Sequence, residues 1–263
     1  AASAGLDRAA SVLAGATVED GRLRRDGAPL TAERLRRLAD VAVVESGAVP
    51  AGSTRVETVG SPAPGSPTEP RPSSNERSPA DTRSSSDERS PAEPRPSANG
   101  DGATGPDEPL RSGEPLVLEL APREPSEYRA GLVRTLVPGT DGGWERRAHV
   151  AVESALRSAK TMLAAGGATV DAVETELEAE VRSFGFGRGA SGSVYGVGLE
   201  ARERPRRGDH DIEEGAVLAL RARAEREDGA AVELGDLLVR RDGDARWLSR
   251  PSRALDPSAV ATP

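Results

Sequence analysis

The chain offers few side chains of the types that enzymes use for chemistry. Its 263 residues include no cysteine, which excludes disulfides, thiolate nucleophiles and cysteine-based metal sites. The two histidines, His149 and His210, lie in the unrelated stretches WERRAHVAV and RRGDHDIE. A lone histidine without a partner at metal-ligand or triad spacing is a poor catalytic candidate. Both are therefore expected to be structural.

A glycine pattern overlaps the start of the stretch SGSVYGVGLEARERP (191–205), and its spacing is that of a nucleotide-binding motif. Gly187, Gly189 and Gly192 form a Gly-x-Gly-x-x-Gly series. A dinucleotide site needs that series between a strand and a following helix. Here it follows a predicted helix and precedes a predicted strand, so no nucleotide and no other cofactor is expected.

Charge and hydropathy exclude two classes of partner. The net charge is −8, whereas a nucleic-acid binder needs a net basic face to displace counterions. No run is apolar and long enough to span a bilayer, and no secretory signal is visible. We therefore expect no nucleic-acid or membrane partner and a location in the cytoplasm.

Residue periodicity predicts helices and strands in separate blocks, which favours an α+β fold. Helices are predicted over 2–15, 31–47, 144–166 and 170–186, with Thr31, Asp141 and Thr169 as N-caps. Strands are predicted over 115–122, 128–138, 194–203, 216–223, 231–240 and 245–248. The short link between the first two strands predicts an antiparallel hairpin.

The middle of the chain, residues 60–108, differs in composition from both sides. It consists mainly of Pro, Ser, Glu and Arg, and it repeats ERSPA and EPRPS. Such a segment buries too little apolar surface to offset its ordering entropy. We predict a disordered insertion in one domain formed by residues 1–59 and 109–263. A docking tail is the functional alternative.

Four segments together resemble a known family. They are LVLELAPREPSEYRAGLVRT (116–135), YGVGLEARERP (195–205), IEEGAVLALRA (212–222) and VELGDLLVRRDG (232–243). In order and spacing they are similar to the C-terminal half of the creatinase and Xaa-Pro aminopeptidase (M24 metallopeptidase) superfamily. The resemblance implies the pita-bread fold, a curved antiparallel sheet with flanking helices. It also implies paired divalent metals, held by carboxylates and one histidine, that activate a bridging water for peptide hydrolysis.

The ligand positions of the motifs are not filled by ligands. Under the resemblance the two metal aspartates fall at Glu119 and Gly131, and the metal histidine falls at Tyr195. The remaining ligand and motif-histidine positions, two metal glutamates and two histidines, fall at Arg221, Gly235, Ser191 and Arg202. A metal-free amidinohydrolase of the superfamily uses a histidine from the loop before the first strand. Here that loop is the insertion, which contains none. The resemblance thus implies neither a metal site nor catalytic residues.

Three functional hypotheses remain. The first is a non-catalytic peptidase-like domain that binds a peptide or protein, a role with precedents in the superfamily, and the resemblance also allows a homodimer. The second is an active metal-dependent aminopeptidase or dipeptidase with an unrecognised ligand set. The third is a decaying paralogue with no selected function.

Arg221 supplies the sharpest structural expectation. An unpaired guanidinium in a pocket that once held cations would be costly to bury. Glu119 keeps a carboxylate on a neighbouring strand. We therefore predict that Arg221 pairs with Glu119, with Tyr195 as a further hydrogen-bond partner.

Deleting residues 62–106 tests the predicted insertion. Because loop-closure entropy grows slowly with loop length, the deletion should change the free energy of unfolding by no more than about 1 kcal/mol. Thermal melts of the deleted and full chains measure this. A large drop in melting temperature would mean that the insertion packs on the fold.

Overall fold

The computed structural model describes residues 1–58, 107–139, 142–208, 211–241 and 243–261. Helices α1 to α5 span Ala2–Ala14, Ala32–Glu45, Trp144–Ala165, Val170–Val181 and Pro257–Val260. Strands β1 to β10 span Thr17–Glu19, Arg22–Arg25, Ala28–Pro29, Arg55–Glu57, Leu116–Leu120, Leu132–Leu136, Ala190–Gly196, Val217–Glu225, Ala231–Arg241 and Asp244–Trp247. The predicted α+β class and the curled antiparallel sheet with flanking helices are confirmed. None of the helices in these ranges is long and apolar enough to cross a membrane.

Local sequence explains where the helices begin. The hydroxyls of Thr31 and Thr169 accept hydrogen bonds from the backbone N–H groups of Arg34 and Ala172, both at 3.2 Å. These are the two predicted N-caps that lie in the described residues. Asp141, the third, lies outside them. Helix α3 buries a stripe of mostly small residues, Ala148, Ala151, Val152, Ala155, Leu156, Ala159 and Leu163. In a chain with few aromatics, these alanines let helix and sheet approach closely.

The large sheet has the strand order β4-β5-β6-β9-β8-β7, and β10 pairs with β9. Every pairing in it is antiparallel. Alternate side chains of β8 and β9 contact α3 and α4, while those of β5 and β6 contact α1 and α2. All four helices therefore cover one face of the sheet. We call the opposite face the inner face.

The core consists of two clusters on the helical face. One combines α3 and α4 with β7, β8, β9 and β10. The other combines α1 and α2 with β5 and β6, and it includes Val260 of α5. The clusters meet where β6 pairs with β9 through two residue pairs, Leu132 with Asp236 and Val133 with Gly235.

A buried ion pair lies at this junction. Nη2 of Arg134 donates to Oδ1 of Asp236 at 2.6 Å, and the two side chains are 1% and 3% exposed. Arg134 also donates to the carbonyls of Ser252 and Gly235, while Arg253 donates to the second oxygen of Asp236 at 2.6 Å. Burial lowers the pKa of Arg134, and Asp236 offsets this only in part. The pair thus fixes the C-terminal segment to the sheet junction.

Helix α4 covers the outer edge of β7, the last strand of the large sheet. Oε1 of Glu174 accepts a hydrogen bond from the backbone N–H of Val194 at 3.0 Å. A Cβ atom at Gly192 would lie 2.5 Å from Cβ of Leu177, so the helix contacts bare backbone here. This contact protects an edge that could otherwise pair with another chain.

Several predicted boundaries need correction. The strand predicted over 194–203 is instead Ala190–Gly196, because the chain then folds back and Gly196 bonds to the backbone of Glu203 and Pro205. The strand predicted over 128–138 is Leu132–Leu136. The prediction missed the small sheet β1-β2-β3 and the edge strand β4. The predicted insertion lies outside the described residues, except for Asp107 and Glu108.

His149 provides a pH test of the fold. It lies on α3, and its Nε2 is 2.6 Å from the carbonyl oxygen of Arg253. Burial lowers the pKa of His149 in the folded chain. When the pH falls below about 6.5, the ordinary histidine pKa, His149 is therefore protonated in the unfolded chain before it is protonated in the folded chain. This contribution to stability is present above pH 6.5 and is lost as the pH falls. His149→Gln should therefore flatten the decline in unfolding free energy between pH 7 and 5, measured by denaturant titration.

His210→Gln is the matched control, since His210 is the chain's other histidine. An unchanged slope in His149→Gln, with a flattened slope in the control, would assign the titration to His210 instead.

Candidate functional site

Two adjacent rows of side chains on the inner face contain four of the seven predicted pocket positions. Cross-strand neighbours run from Ser193 to Arg221, Gly235, Val133 and Glu119. The adjacent row contains Tyr195, which pairs with Ala219, and Leu237. The sheet therefore brings Glu119, Tyr195, Arg221 and Gly235 to one region, as the motif alignment requires.

Arg221 is the centre of this region, and the predicted pair with Glu119 is present. Nη1 of Arg221 donates to Oε1 of Glu119 at 2.8 Å. Nε of Arg221 donates to Oε1 of Glu233 at 2.7 Å. The arginine side chain is 8% exposed and that of Glu119 is 20% exposed. One guanidinium thus joins carboxylates from two different strands in a site largely removed from water.

A second arginine extends the arrangement toward the sheet edge. Arg223 binds Glu57 through two hydrogen bonds, of 2.6 and 3.2 Å. It also donates to Glu225 at 2.9 Å and to Glu233 at 3.1 Å. Glu233 therefore bridges the two arginines. We call the six residues the inner ion-pair cluster: Glu57, Glu119, Arg221, Arg223, Glu225 and Glu233.

The electrostatics of the cluster favour the charged arginines. Burial by itself would lower the pKa of Arg221, but the charges of Glu233 and Glu119 outweigh burial and raise it. The pKa of Arg223 is raised in the same way, against burial, by its bonds to Glu57 and by Glu233. Burial raises the pKa of Glu57 despite the bonds from Arg223. Both arginines therefore stay cationic, and burial makes Glu57 easier to protonate than a carboxyl group in water.

The two glycines of the predicted pocket lie close to neighbouring side chains. A Cβ atom at Gly235 would lie 3.0 Å from Cγ of Arg221 and 3.0 Å from Cγ2 of Val133. A Cβ atom at Gly131 would lie 3.0 Å from Cδ2 of Leu237. An acidic side chain at either position would therefore require these neighbours to shift.

The remaining predicted positions lie around this centre. The guanidinium carbon of Arg202 lies 4.6 Å from the ring centroid of Tyr195. Among the described residues, Arg221 hydrogen-bonds to the two glutamates and not to Tyr195, so that part of the prediction was wrong. Ser191 is exposed and pairs with Arg223 across the strands. Arg202 is exposed as well.

Sequence reasoning missed Glu233, Arg223 and Glu57. A signal for Glu233 was present. The resemblance implies a family motif Arg-x-Glu-Asp at residues 233–236, so Glu233 stands at its arginine and Gly235 at its metal glutamate. The family motifs thus have a glutamate at position 221 and an arginine at position 233, whereas this chain has the opposite charge at each position. Glu57 had no comparable signal, because its partner Arg223 is distant in sequence.

The residues present do not fit a divalent metal. In the five described ranges, no group of three or more histidine, aspartate or glutamate residues is placed to hold one. The carboxylates of the inner face alternate with guanidinium groups at hydrogen-bond distance. His149 lies on α3 and contacts the C-terminal segment instead, and His210 lies outside the described residues.

Comparison with solved structures identifies similar folds. The chain superposes on the prolidase of Pyrococcus horikoshii with a TM-score of 0.67 and 18% identity, over 97% of this chain and 61% of that one. An Xaa-Pro dipeptidase from Bacillus anthracis gives 0.67 and 14%, over 97% and 60%. The X-Pro aminopeptidase of Thermotoga maritima gives 0.64 and 17%, over 87% and 55%. The chain thus spans about three fifths of the length of these proteins.

Sequence comparison identifies the family. No curated protein matches the chain. The family model described as metallopeptidase family M24 matches residues 93–241, more than half of the chain. With the structural neighbours, this match confirms the pita-bread fold that the motifs implied. The chain belongs to metallopeptidase family M24.

Proposed function

We propose that this chain is a non-catalytic M24 domain that binds a peptide or protein, with the inner ion-pair cluster in place of a metal centre. The observation that carries the proposal is Arg221. It stands where the motif has a metal-binding glutamate, and its guanidinium binds Glu119 and Glu233. A fixed cation thus occupies a position where hydrolysis by this family needs an anion.

The charges of the cluster support the proposal. A divalent ion bound at Glu119 would have to displace a buried guanidinium 2.8 Å away. The displaced arginine would keep only Glu233 as a partner, and it would lie in a largely dry site beside a second cation. Burying charges that are incompletely paired is unfavourable. The ion pairs therefore compete directly with any metal.

The preserved scaffold supports a role for the domain. Under the motif resemblance, Arg134, Gly196 and Asp236 are residues that the chain shares with the family, and Arg134 and Asp236 form the buried pair at the sheet junction. At Gly196, a Cβ atom would lie 2.1 Å from the carbonyl oxygen of Arg204. The framework that shapes the pocket is thus retained while its ligand positions differ. Such retention favours a binding function over decay, and we propose that this function is exercised in the cytoplasm.

Metal content is the direct test. After dialysis against Mn²⁺ or Co²⁺, elemental analysis should find no stoichiometric metal, because Gly131, Tyr195, Arg221 and Gly235 offer no ligand set. X-Pro dipeptides should be cleaved at background rates, with a prolidase as the positive control. A stoichiometric metal that Glu119→Ala removes would overturn the proposal and favour an active metallopeptidase.

A double-mutant cycle tests whether Arg221 and Glu119 act as a unit. Arg221→Met should cost about 3 kcal/mol of unfolding free energy, because Glu119 loses its cation and the buried Glu233 keeps only Arg223. Glu119→Gln should cost about 1 kcal/mol, since Glu119 is partly exposed. Chemical denaturation of both single variants and the double variant should give a coupling energy of about 1 kcal/mol or more.

The matched control is the surface pair of Arg182 and Glu178, which are 2.7 Å apart on a helix. The same substitutions there should couple by only about 0.3–0.5 kcal/mol. Additive effects at Arg221 and Glu119, like those of two independent surface charges, would contradict a structural pair.

A further inference from the structure

A cleft of about 940 Å³ lies apart from the predicted pocket positions. Its walls come from three places: the start of α3, the turn 185–189 after α4, and the β8–β9 connection beginning at Glu225. None of the seven predicted pocket positions lines it. It lies beyond Arg221 along β8, and Glu225 links it to the inner ion-pair cluster through Arg223.

The cleft concentrates a rare residue type. The chain has only six aromatic residues, and two of them, Trp144 and Phe186, line this cleft. The guanidinium of Arg226 lies 5.2 Å from the ring of Trp144, and that of Arg147 lies 5.4 Å from the ring of Phe186. Tryptophan and arginine are the residues most enriched where binding energy concentrates in protein interfaces.

Some charged side chains of the cleft form ion pairs and others do not. Two of its acids are already paired: Glu225 binds Arg223, and Asp228 lies 3.0 Å from Arg226. Within the described part of the chain, Arg147 and Arg188 have no carboxylate partner, and Glu227 has no cation. More positive than negative charge is therefore left for a ligand, in a chain whose net charge is negative.

Bare backbone forms part of the wall. Gly189 is required by close approach, because a Cβ atom there would lie 1.9 Å from the carbonyl oxygen of Glu225. Gly185 and Gly187 have positive φ angles of 91° and 45°, and both are exposed. With no side chains in the way, a ligand chain can approach this turn closely.

From these features we infer that the cleft is a docking site for an acidic, proline-containing peptide segment of a partner protein. Arg147 and Arg188 would take its carboxylates. Trp144, which is only partly buried, would contact its proline rings, in the manner of aromatic grooves that bind extended proline-rich segments. Phe186 is 9% exposed and belongs to the core. The inference goes beyond the proposed function, since this cleft can bind whether or not the domain holds a metal.

Tryptophan fluorescence provides the test. The chain has two tryptophans, and Trp247 stacks on Arg253 rather than lining the cleft. In the full chain with Trp247→Phe, Trp144 is the sole tryptophan, so the tryptophan emission reports on the cleft. A synthetic peptide of alternating glutamate and proline should change its emission saturably, and added salt should weaken the binding. A peptide of alternating lysine and proline should not bind.

Charge reversal in the same background locates the site. Arg188→Glu should weaken binding of the acidic peptide about fivefold, since one surface attraction becomes a repulsion. Arg157→Glu is the control with the same change in net charge, because Arg157 is exposed on α3 about 20 Å beyond Trp144. Three results would each overturn the inference: no binding at millimolar peptide, equal binding of the lysine peptide, or equal effects of the two substitutions.

Discussion

The buried pair of Arg134 and Asp236 is the interaction on which the architecture depends. It lies where β6 pairs with β9, the short pairing that joins the two halves of the large sheet. Each half has its own helices and its own apolar cluster. A guanidinium with almost no exposure is tolerated only when its hydrogen-bonding groups find partners. Asp236 and the backbone of the C-terminal segment provide these partners. The same arginine therefore holds the two halves of the sheet together and attaches the C-terminal segment to them.

The inner face also buries guanidinium groups, and it pairs them within the larger inner ion-pair cluster. Arg221 and Arg223 would be costly to bury without partners, and Glu233 binds both of them. Glu119 is the second partner of Arg221, and Glu57 is a further partner of Arg223. These carboxylates come from three strands besides β8. The cluster therefore stabilises one register of β4, β5, β8 and β9, because a slip by one residue would move every charge to the apolar helical face.

The sequence predicted what depends on periodicity and motif spacing. Thr31 and Thr169 were identifiable as caps, and Glu119 and Arg221 as partners, because segments of one motif set carry them. The two partners are not on neighbouring strands as expected, since β6 and β9 lie between β5 and β8. The sequence did not reveal contacts that join distant segments without a motif, such as Glu57 with Arg223 or Arg134 with Ser252. The end of β7 was also missed, because Gly196 turns toward a loop that local propensity does not describe. The cleft beside Trp144 needed three separated segments to be placed together.

The tight contacts at Gly235 also bear on how such a domain can evolve. Arg221→Glu alone would place a third carboxylate beside Glu119 and Glu233, where like charges repel in a dry site. A glutamate at Gly235 alone would crowd Arg221 and Val133, which would have to shift. Each single step toward a carboxylate centre thus passes through a less stable protein. Selection for stability therefore opposes a stepwise route to such a centre, and only concerted substitutions could cross that fitness valley.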